Sequence, residues 1–270
     1  MYGLEENEEV QKGKVICVWS PVHRQGAVSA NAALVASYLA VCSSGNTEEK
    51  RVLVMSNEMS FNLQASKYLT SNNITDRLST VCMMSKSGNL NTPEDLVPHT
   101  ENIGDNLDVI GPTFKDKTLV TDIVSEIENI LAVARLAYDY IVIDTSSGVW
   151  NASSKRIIDT ADVVLVCLPQ DKYTIAKYRE EDEDVYSNIL KGKAIIHISS
   201  LHYEYEHFTL GSIRRIIGSK VYPISLNDQV NKALYNRNVF EFISKEFKKR
   251  KKYDDVLEEL EELVEEILRI

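Results

Sequence analysis

The chain has 270 residues, of which 44% are hydrophobic and 26% are charged, so it can bury the core of one large globular domain. Its formal net charge of -10 argues against tight, sequence-independent binding to nucleic acid, which requires a basic face. The acidic start lacks a secretory signal and no apolar run approaches the ~18 residues of a transmembrane segment, so we expect a cytoplasmic protein.

The first elements along the chain are a strand, a loop and a helix. Residues 15–19 (VICVW) form a short, β-branched run that is typical of a buried strand, and residues 20–26 predict a turn. Residues 27–41 are rich in alanine, leucine and valine and predict a buried helix. This order of elements is the opening of a βαβ unit.

Further apolar runs alternate with helical patterns along the rest of the chain. They predict a helix over residues 117–137 and strands over residues 51–55, 107–110, 140–143, 163–168 and 194–198. The runs are continuous rather than alternating, which is typical of strands buried on both faces. The sequence therefore predicts an α/β fold with a doubly wound, mostly parallel sheet and helices on both faces. One domain over residues 14–247 is the simplest division, preceded by a polar tail over residues 1–13.

The C-terminal segment, residues 248–270, has a different character. It starts in a basic run (FKKRKK, 247–252) and continues as an acidic amphipathic helix whose apolar face carries Tyr253, Leu257, Leu260, Val264 and Ile267. The helix either packs on the domain or forms a self-association seam. A membrane-interfacial helix is disfavoured, because such helices carry basic residues on the polar face. The basic run is either a solvated surface or a contact for an acidic partner.

The loop after the first strand (SPVHRQGAVSAN, 20–31) lies where a phosphate-binding loop would lie. In such loops, backbone N–H groups and a helix N-terminus hold phosphates, a lysine neutralises their charge and a hydroxyl binds Mg²⁺. The segment resembles the K-G-G-V-G-K-T-T loop of the MinD/ParA-like (SIMIBI-class) P-loop ATPases. With Gly26 aligned to the glycine before the catalytic lysine, Ala27 replaces that lysine and Val22 replaces the signature lysine. Val28 replaces the Mg²⁺-binding threonine and Ser29 the next one, so this Walker A motif is degenerate.

Other segments are more similar to the family. Residues 138–145 (YDYIVIDT) resemble the strand whose aspartate lies near Mg²⁺, which implies that role for Asp144. Residues 56–58 (SNE) stand in place of the family's D-x-D, which leaves Glu58 as the carboxylate there. The Y-P pair ending at Pro223 resembles the loop near the nucleotide base. The likeness covers about residues 14–247.

The first and last segments that resemble the family also resemble one of its subgroups. The W-S-P-x-H-x-Q start and the Y-P-I-S-L-N ending resemble the pilus-assembly localisation proteins of the TadZ/CpaE type. That resemblance implies protein partners in a pilus or secretion apparatus, recruitment to a membrane-associated assembly through those partners, and a homodimer.

Candidate site residues follow from the residue pattern and the resemblance together. Asp144 ends a central strand, where parallel sheets open their ligand crevice, although a strand end without a ligand is the alternative. Arg24 either supplies the missing positive charge or is a solvated loop arginine. The predicted catalytic residues are Asp144 and Glu58, the predicted Mg²⁺ ligands are Ser29 and Asp144, and the predicted nucleotide-binding residues are His23, Arg24, Gln25, Gly26, Ala27, Val28, Ser29 and Pro223.

The altered loop decides between the functions that the resemblance implies. Phosphoryl transfer depends on positioning and charge neutralisation, so loss of a phosphate-binding lysine should cost several kcal/mol in the transition state. We therefore expect a positioning or scaffold protein with ATP and Mg²⁺ as candidate ligands and with weak or absent hydrolysis. The alternatives are an active ATPase in which Arg24 or His23 replaces lysine, and a ParA-type DNA-partition protein, which the acidic charge disfavours.

Overall fold

The computed structural model describes residues 13–43, 49–57, 64–72, 74–75, 77–104, 106–111, 118–148, 152–181, 185–203, 207–249 and 255–270. The strands in this part of the chain are β1 (Lys14–Trp19), β2 (Val52–Ser56), β3 (Glu101–Gly104), β4 (Leu107–Val109), β5 (Tyr140–Asp144), β6 (Val163–Pro169), β7 (Ala194–His202) and β8 (Val221–Ser225). They form one eight-stranded sheet in the order β3-β4-β2-β5-β1-β6-β7-β8. Only β3 runs antiparallel to its neighbour.

Helices connect these strands. Their bounds are α1 (Val28–Ser43), α2 (Ala65–Leu69), α3 (Leu78–Lys86), α4 (Pro93–Leu96), α5 (Thr118–Ala137), α6 (Ala152–Thr160), α7 (Lys172–Glu181), α8 (Ser187–Ile189), α9 (Leu210–Ile217), α10 (Asp228–Asn236), α11 (Val239–Lys249) and α12 (Asp255–Arg269). None of the helices among the described residues is long and apolar enough to cross a membrane.

The helices cover both faces of the sheet. Side chains from α1, α2, α10, α11 and α12 form one buried cluster with one set of strand residues, and α3, α5, α6, α7 and α9 form a second cluster with the opposite set. Alternate residues of the central strands enter opposite clusters, which is why these strands are apolar at every position. The prediction of a doubly wound, mostly parallel α/β fold is confirmed.

The structure differs from the sequence prediction at both edges of the sheet. Strand β8 was not predicted as a strand, and its Tyr222-Pro223 pair was expected in a loop. Strand β3 was not predicted, because its residues (ENIG) are half-exposed or exposed and carry no apolar run. It is an edge strand that pairs with β4 alone, so one side of it is exposed to solvent. Its residues therefore need not be apolar at every position. The region before it, predicted as mixed, contains three short helices, α2, α3 and α4.

Helix α1 is the most deeply buried helix of the domain. Fourteen of its 16 residues are buried, because β1, β2 and β5 lie beneath it and α2, α11 and α12 cover it. This burial explains its composition of alanine, valine and leucine without a polar face. Since the helix is enclosed on all sides, the loop that leads into its N-terminus is held in a defined position.

The C-terminal helix α12 packs on the domain. Its apolar face lies against α1 and β8 and is formed by Val256, Leu260, Leu263, Val264 and Ile267. Leu257 is half-buried, and Tyr253, which we placed on the same face, lies outside the described residues. Two polar contacts hold the helix: Lys14 Nζ donates to the Ile267 carbonyl at 3.0 Å, and Glu259 accepts hydrogen bonds from β8.

The contact between Glu259 and the edge strand β8 yields a stability prediction. The Glu259 carboxylate accepts from the Ser225 amide at 2.7 Å and from the Ser225 hydroxyl at 2.6 Å. Glu259→Ala leaves both donors without this acceptor, so we expect a loss of about 1–3 kcal/mol in the free energy of unfolding, measured in urea. Glu262→Ala, on the exposed face of the same helix, should change it by no more than ~0.5 kcal/mol. Equal losses in the two variants would contradict the prediction.

Candidate functional site

A cleft opens at the carboxyl ends of β1 and β5, on the side where helix α1 begins. Its volume is about 360 Å³. Parallel sheets bind ligands in this position, outside the carboxyl ends of neighbouring strands. The residues that line it are His23, Arg24, Gln25, Gly26, Ala27, Val28, Ser29, Ala30, Tyr68, Asp144, Thr145, Ser147, Leu201 and Leu234. The structure thus brings together Asp144 and the whole predicted loop from His23 to Ser29.

Asp144 lines the cleft and is only 1% exposed. Its Oδ1 accepts a hydrogen bond from the Ser29 hydroxyl at 3.0 Å. Its Oδ2 accepts one from the Ser56 hydroxyl at 3.2 Å and one from the Ala65 amide at 2.8 Å. The three donors come from three segments: the first turn of α1, the end of β2 and the start of α2. The Asp144 carboxylate therefore connects the first turn of α1 to the end of the neighbouring strand β2 and to the start of α2.

Gly26 brings the loop backbone against the sheet. A Cβ atom at this position would lie 2.3 Å from Ser20 Oγ, 2.4 Å from Ser20 Cβ and 2.8 Å from the Cys167 carbonyl oxygen. These separations are far below van der Waals contact, and the Cys167 carbonyl belongs to the hydrogen-bonded backbone of the central strand β6. Glycine is required here because the loop passes over the end of β6 too closely for any side chain.

The cleft also contains most of the unusual backbone conformations of the described chain. Among the described non-glycine residues, only four have φ in the left-handed region: Arg24 (60°), Ala27 (47°), Leu201 (48°) and Arg237 (57°). The first three line the cleft. Such conformations cost free energy and tend to concentrate at binding sites, where the surrounding structure imposes them.

The Asn31 side chain holds the loop from inside the domain. Its Nδ2 lies 3.2 Å from the Gly26 carbonyl oxygen, 2.8 Å from Ser200 Oγ and 3.3 Å from Cys167 Sγ. These contacts join the loop to β6 and β7. Burial raises the pKa of the Cys167 thiol to about 12, so at neutral pH it remains protonated and is neither a nucleophile nor a metal ligand.

The cleft is suited to an anion. Helix α1 makes its first intrahelical hydrogen bond from the Asn31 amide to the Ala27 carbonyl, so the amides of its first turn point out of the helix end toward the cleft. Arg24 is exposed at the rim. Burial, with a smaller contribution from the Asp144 charge, raises the pKa of Tyr68, whose hydroxyl therefore keeps its proton and can donate.

The residues present do not fit a directly bound Mg²⁺. The two predicted ligands, Ser29 and Asp144, are hydrogen-bonded to each other, and three donors take up most of the acceptor capacity of the Asp144 carboxylate. The described part of the chain contains no group of three His, Cys, Asp or Glu side chains that could hold a metal ion. Mg²⁺ at a nucleotide takes one or two protein oxygens besides phosphates and waters, and both predicted ligands here already make hydrogen bonds within the protein.

One predicted site residue does not line the cleft, and another lies outside the described residues. Pro223 lies within β8, where it pairs with Ser199 of β7, and its role at a nucleotide base stays a prediction. Glu58 lies outside the described residues. Sequence reasoning in turn missed Tyr68, Leu201 and Leu234, which carry no motif and reach the cleft only through the packing of α2, the end of β7 and α10.

Comparison with known proteins gives a clear result for the fold. No family model and no curated protein sequence matches this chain. Among solved structures, a ParA-family ATPase from Chlorobium tepidum TLS is similar with a TM-score of 0.70 and 16% sequence identity, over 86% of this chain and 95% of that chain. The chain has the fold of the ParA and MinD ATPases.

Two MinD structures support the same assignment. The septum site-determining protein MinD from Pyrococcus horikoshii OT3, complexed with Mg-ADP, is similar with a TM-score of 0.68 and 14% identity, over 95% of this chain and 97% of that chain. The MinC:MinD cell division complex of Aquifex aeolicus contains a chain with a TM-score of 0.60 and 15% identity, over 88% of this chain and 97% of that chain. At these identities the likeness establishes the fold alone.

The backbone of Gly26 generates a prediction that needs no ligand. Gly26→Ala forces the loop away from Ser20 and Cys167, so we expect the free energy of unfolding to fall by about 1–3 kcal/mol in urea titrations. Gly211→Ala is the matched control. A Cβ atom at this position would meet only Thr209 Oγ1, at 3.7 Å, and alanine has a higher helix propensity than glycine in the first turn of α9. A Gly26→Ala protein as stable as the wild type would contradict the close approach.

Proposed function

We propose that this chain is a positioning or scaffold protein built on the MinD/ParA-like fold, with a cleft that binds a nucleotide but hydrolyses it weakly or not at all. The observation that carries the proposal is the composition of the cleft. Its described lining contains a loop, a helix N-terminus and a buried carboxylate in the arrangement of a phosphate site, but no lysine. Among the described lining residues, Arg24 is the one with a permanent positive charge, and the remaining donors include His23, hydroxyl groups and backbone amides.

Two features of the cleft support binding without turnover. Backbone amides at the start of α1 attract phosphate whatever the side chains are, so the loss of lysine weakens binding without abolishing it. Hydrolysis depends on charges directed at the transition state, and removal of one such group typically costs about 10²–10³ in rate. The hydrogen bonds to Asp144 also leave little capacity for the metal that would neutralise the developing charge.

Protein partners are the second part of the proposal. The W-S-P-x-H-x-Q opening resembles pilus-assembly localisation proteins, and the Aquifex aeolicus MinD was solved in complex with MinC, a protein. We therefore propose a pilus or secretion apparatus as the partner assembly and a homodimer as the functional unit. A DNA-partition role is the weaker alternative, because the net charge of -10 opposes binding to duplex DNA.

Nucleotide titration tests the central claim. We expect ATP to bind with an affinity that changes little on addition of Mg²⁺, measured by calorimetry, and we expect phosphate release at the level of a protein-free blank. Asp144→Asn, checked for folding by circular dichroism, should leave that background unchanged. Hydrolysis at about one turnover per minute that Asp144→Asn abolishes would contradict the proposal and favour an active ATPase.

Arg24 offers a separate test of the missing lysine. Because its φ of 60° suits glycine, Arg24→Gly relieves backbone strain, and we expect stability to be unchanged or higher by about 0.5–1 kcal/mol. If the guanidinium contacts phosphate, the same variant lowers ATP affinity about tenfold. Arg215→Ala, at an exposed arginine on α9, is the control and should leave the affinity unchanged. If Arg24→Gly and the wild type bind ATP with equal affinity, Arg24 is a solvated loop residue that does not contact phosphate.

A further inference from the structure

We propose that a second depression, separate from the cleft, is the docking site for an acidic segment of a partner protein that also carries apolar side chains. This α11 groove has a volume of about 750 Å³. It is lined by Leu69, Thr70, Ser71, Ile103, Arg237, Asn238, Phe240, Glu241, Ser244, Lys245, Lys248 and Lys249. The proposal does not depend on nucleotide binding in the cleft.

The charge of the groove is opposite to that of the chain. The described residues of its lining include four cations and one carboxylate, Glu241, in a protein whose formal net charge is -10. Lys245 and Lys248 are exposed, and no carboxylate of the described chain lies within ion-pair distance of either. Lys249 pairs with Glu246 at 2.6 Å. The positive potential of the groove attracts an acidic ligand. The negative net charge of the rest of the protein repels the same ligand from other surfaces.

The floor of the groove is apolar. Leu69 and Phe240 are buried beneath it, and Ile103 of the edge strand β3 is half-buried beside them. Phe240 packs directly over Gly104, where a Cβ atom would lie 2.6 Å from its Cε1, so the absence of a side chain at this glycine makes room for the ring. Apolar side chains above these residues would gain free energy by leaving water.

The combination of an apolar floor and a cationic rim selects among acidic ligands. A nucleic acid backbone presents phosphates and sugars and gains nothing from Leu69, Ile103 and Phe240, and Glu241 would repel it. A protein segment that alternates carboxylates with leucine or phenylalanine satisfies both features, because its acidic side chains reach Lys245 and Lys248 while its apolar ones face the floor. The geometry therefore favours a protein over a nucleic acid.

The groove and the cleft are lined by different residues of the same two elements, α2 and the end of α10. Within α2, Tyr68 lines the cleft and the next residue, Leu69, lines the groove. At the end of α10, Leu234 lines the cleft and Arg237 lines the groove. A partner in the groove thus contacts the elements that shape the cleft without contacting the loop from His23 to Ser29.

Arg237 supplies a variant that removes a groove charge without harming the fold. It ends α10 in the left-handed conformation, with φ of 57° and its amide bonded to the Ala233 and Leu234 carbonyls. Glycine is the residue that this helix end accommodates at lowest cost. We therefore expect Arg237→Gly to be at least as stable as the wild type and to bind an acidic peptide severalfold more weakly.

The test uses the full chain and a dye-labelled synthetic peptide in which glutamate alternates with leucine and phenylalanine, followed by fluorescence anisotropy. We expect the peptide to bind, and we expect Lys245→Glu with Lys248→Glu to weaken binding about tenfold or more. The matched control, Lys191→Glu with Arg215→Glu, changes the net charge equally at exposed sites outside the groove and should leave the affinity within about twofold. Thermal melts confirm that all variants remain folded.

Three outcomes would overturn the proposal. One is a loss of affinity that is equal in the groove variant and the control, which would indicate a non-specific charge effect. Another is binding of a polyglutamate peptide as tight as that of the alternating peptide, which would remove the role of the apolar floor. The third is binding of a labelled non-specific DNA duplex that is tighter than the peptide and lost in Lys245→Glu with Lys248→Glu.

Discussion

The arrangement of the cleft depends on the buried carboxylate of Asp144. A charged group removed from water is costly unless donors satisfy it, and here three donors do so from segments that are distant in sequence. Ser29 fixes the first turn of α1, Ser56 fixes the end of β2, and the Ala65 amide fixes the start of α2. Loss of any one of them leaves the charge less well solvated, so the carboxylate and the loop geometry stabilise each other.

The loop from His23 to Ser29, which lines the cleft, has an unusual backbone path. The close approach at Gly26 and the left-handed φ of Arg24 and Ala27 are properties of the chain path, and the domain imposes them through Asn31 and the ends of β6 and β7. Glycine accommodates a φ of 60° at the lowest cost, yet this position holds Arg24. The packing around the loop therefore holds a backbone conformation that its own side chains disfavour.

Much of the fold could be predicted because central parallel strands need apolar residues at every position. The runs that became β1, β2, β5 and β6 were recognisable for this reason, with ends correct to within a residue or two. The edge strand β3 was not, since a strand with one solvent-exposed side carries no such run. On α12 the predicted apolar face was nearly right, but Val256 and Leu263 also turned inward because α1 and β8 cover a wider stripe than the predicted spacing allowed.

The sequence by itself determined the fold class, the position of the loop after the first strand and the place of Asp144 at the end of a central strand, because these follow from local patterns. Only the tertiary structure decided what surrounds them. It set Ser29, Ser56 and Ala65 on one carboxylate, lined the cleft with Tyr68, Leu201 and Leu234, and gathered Arg237 and the lysines of α11 over an apolar floor. These residues come from segments far apart in the chain, and only the packing of helices on both faces of the sheet brings them together.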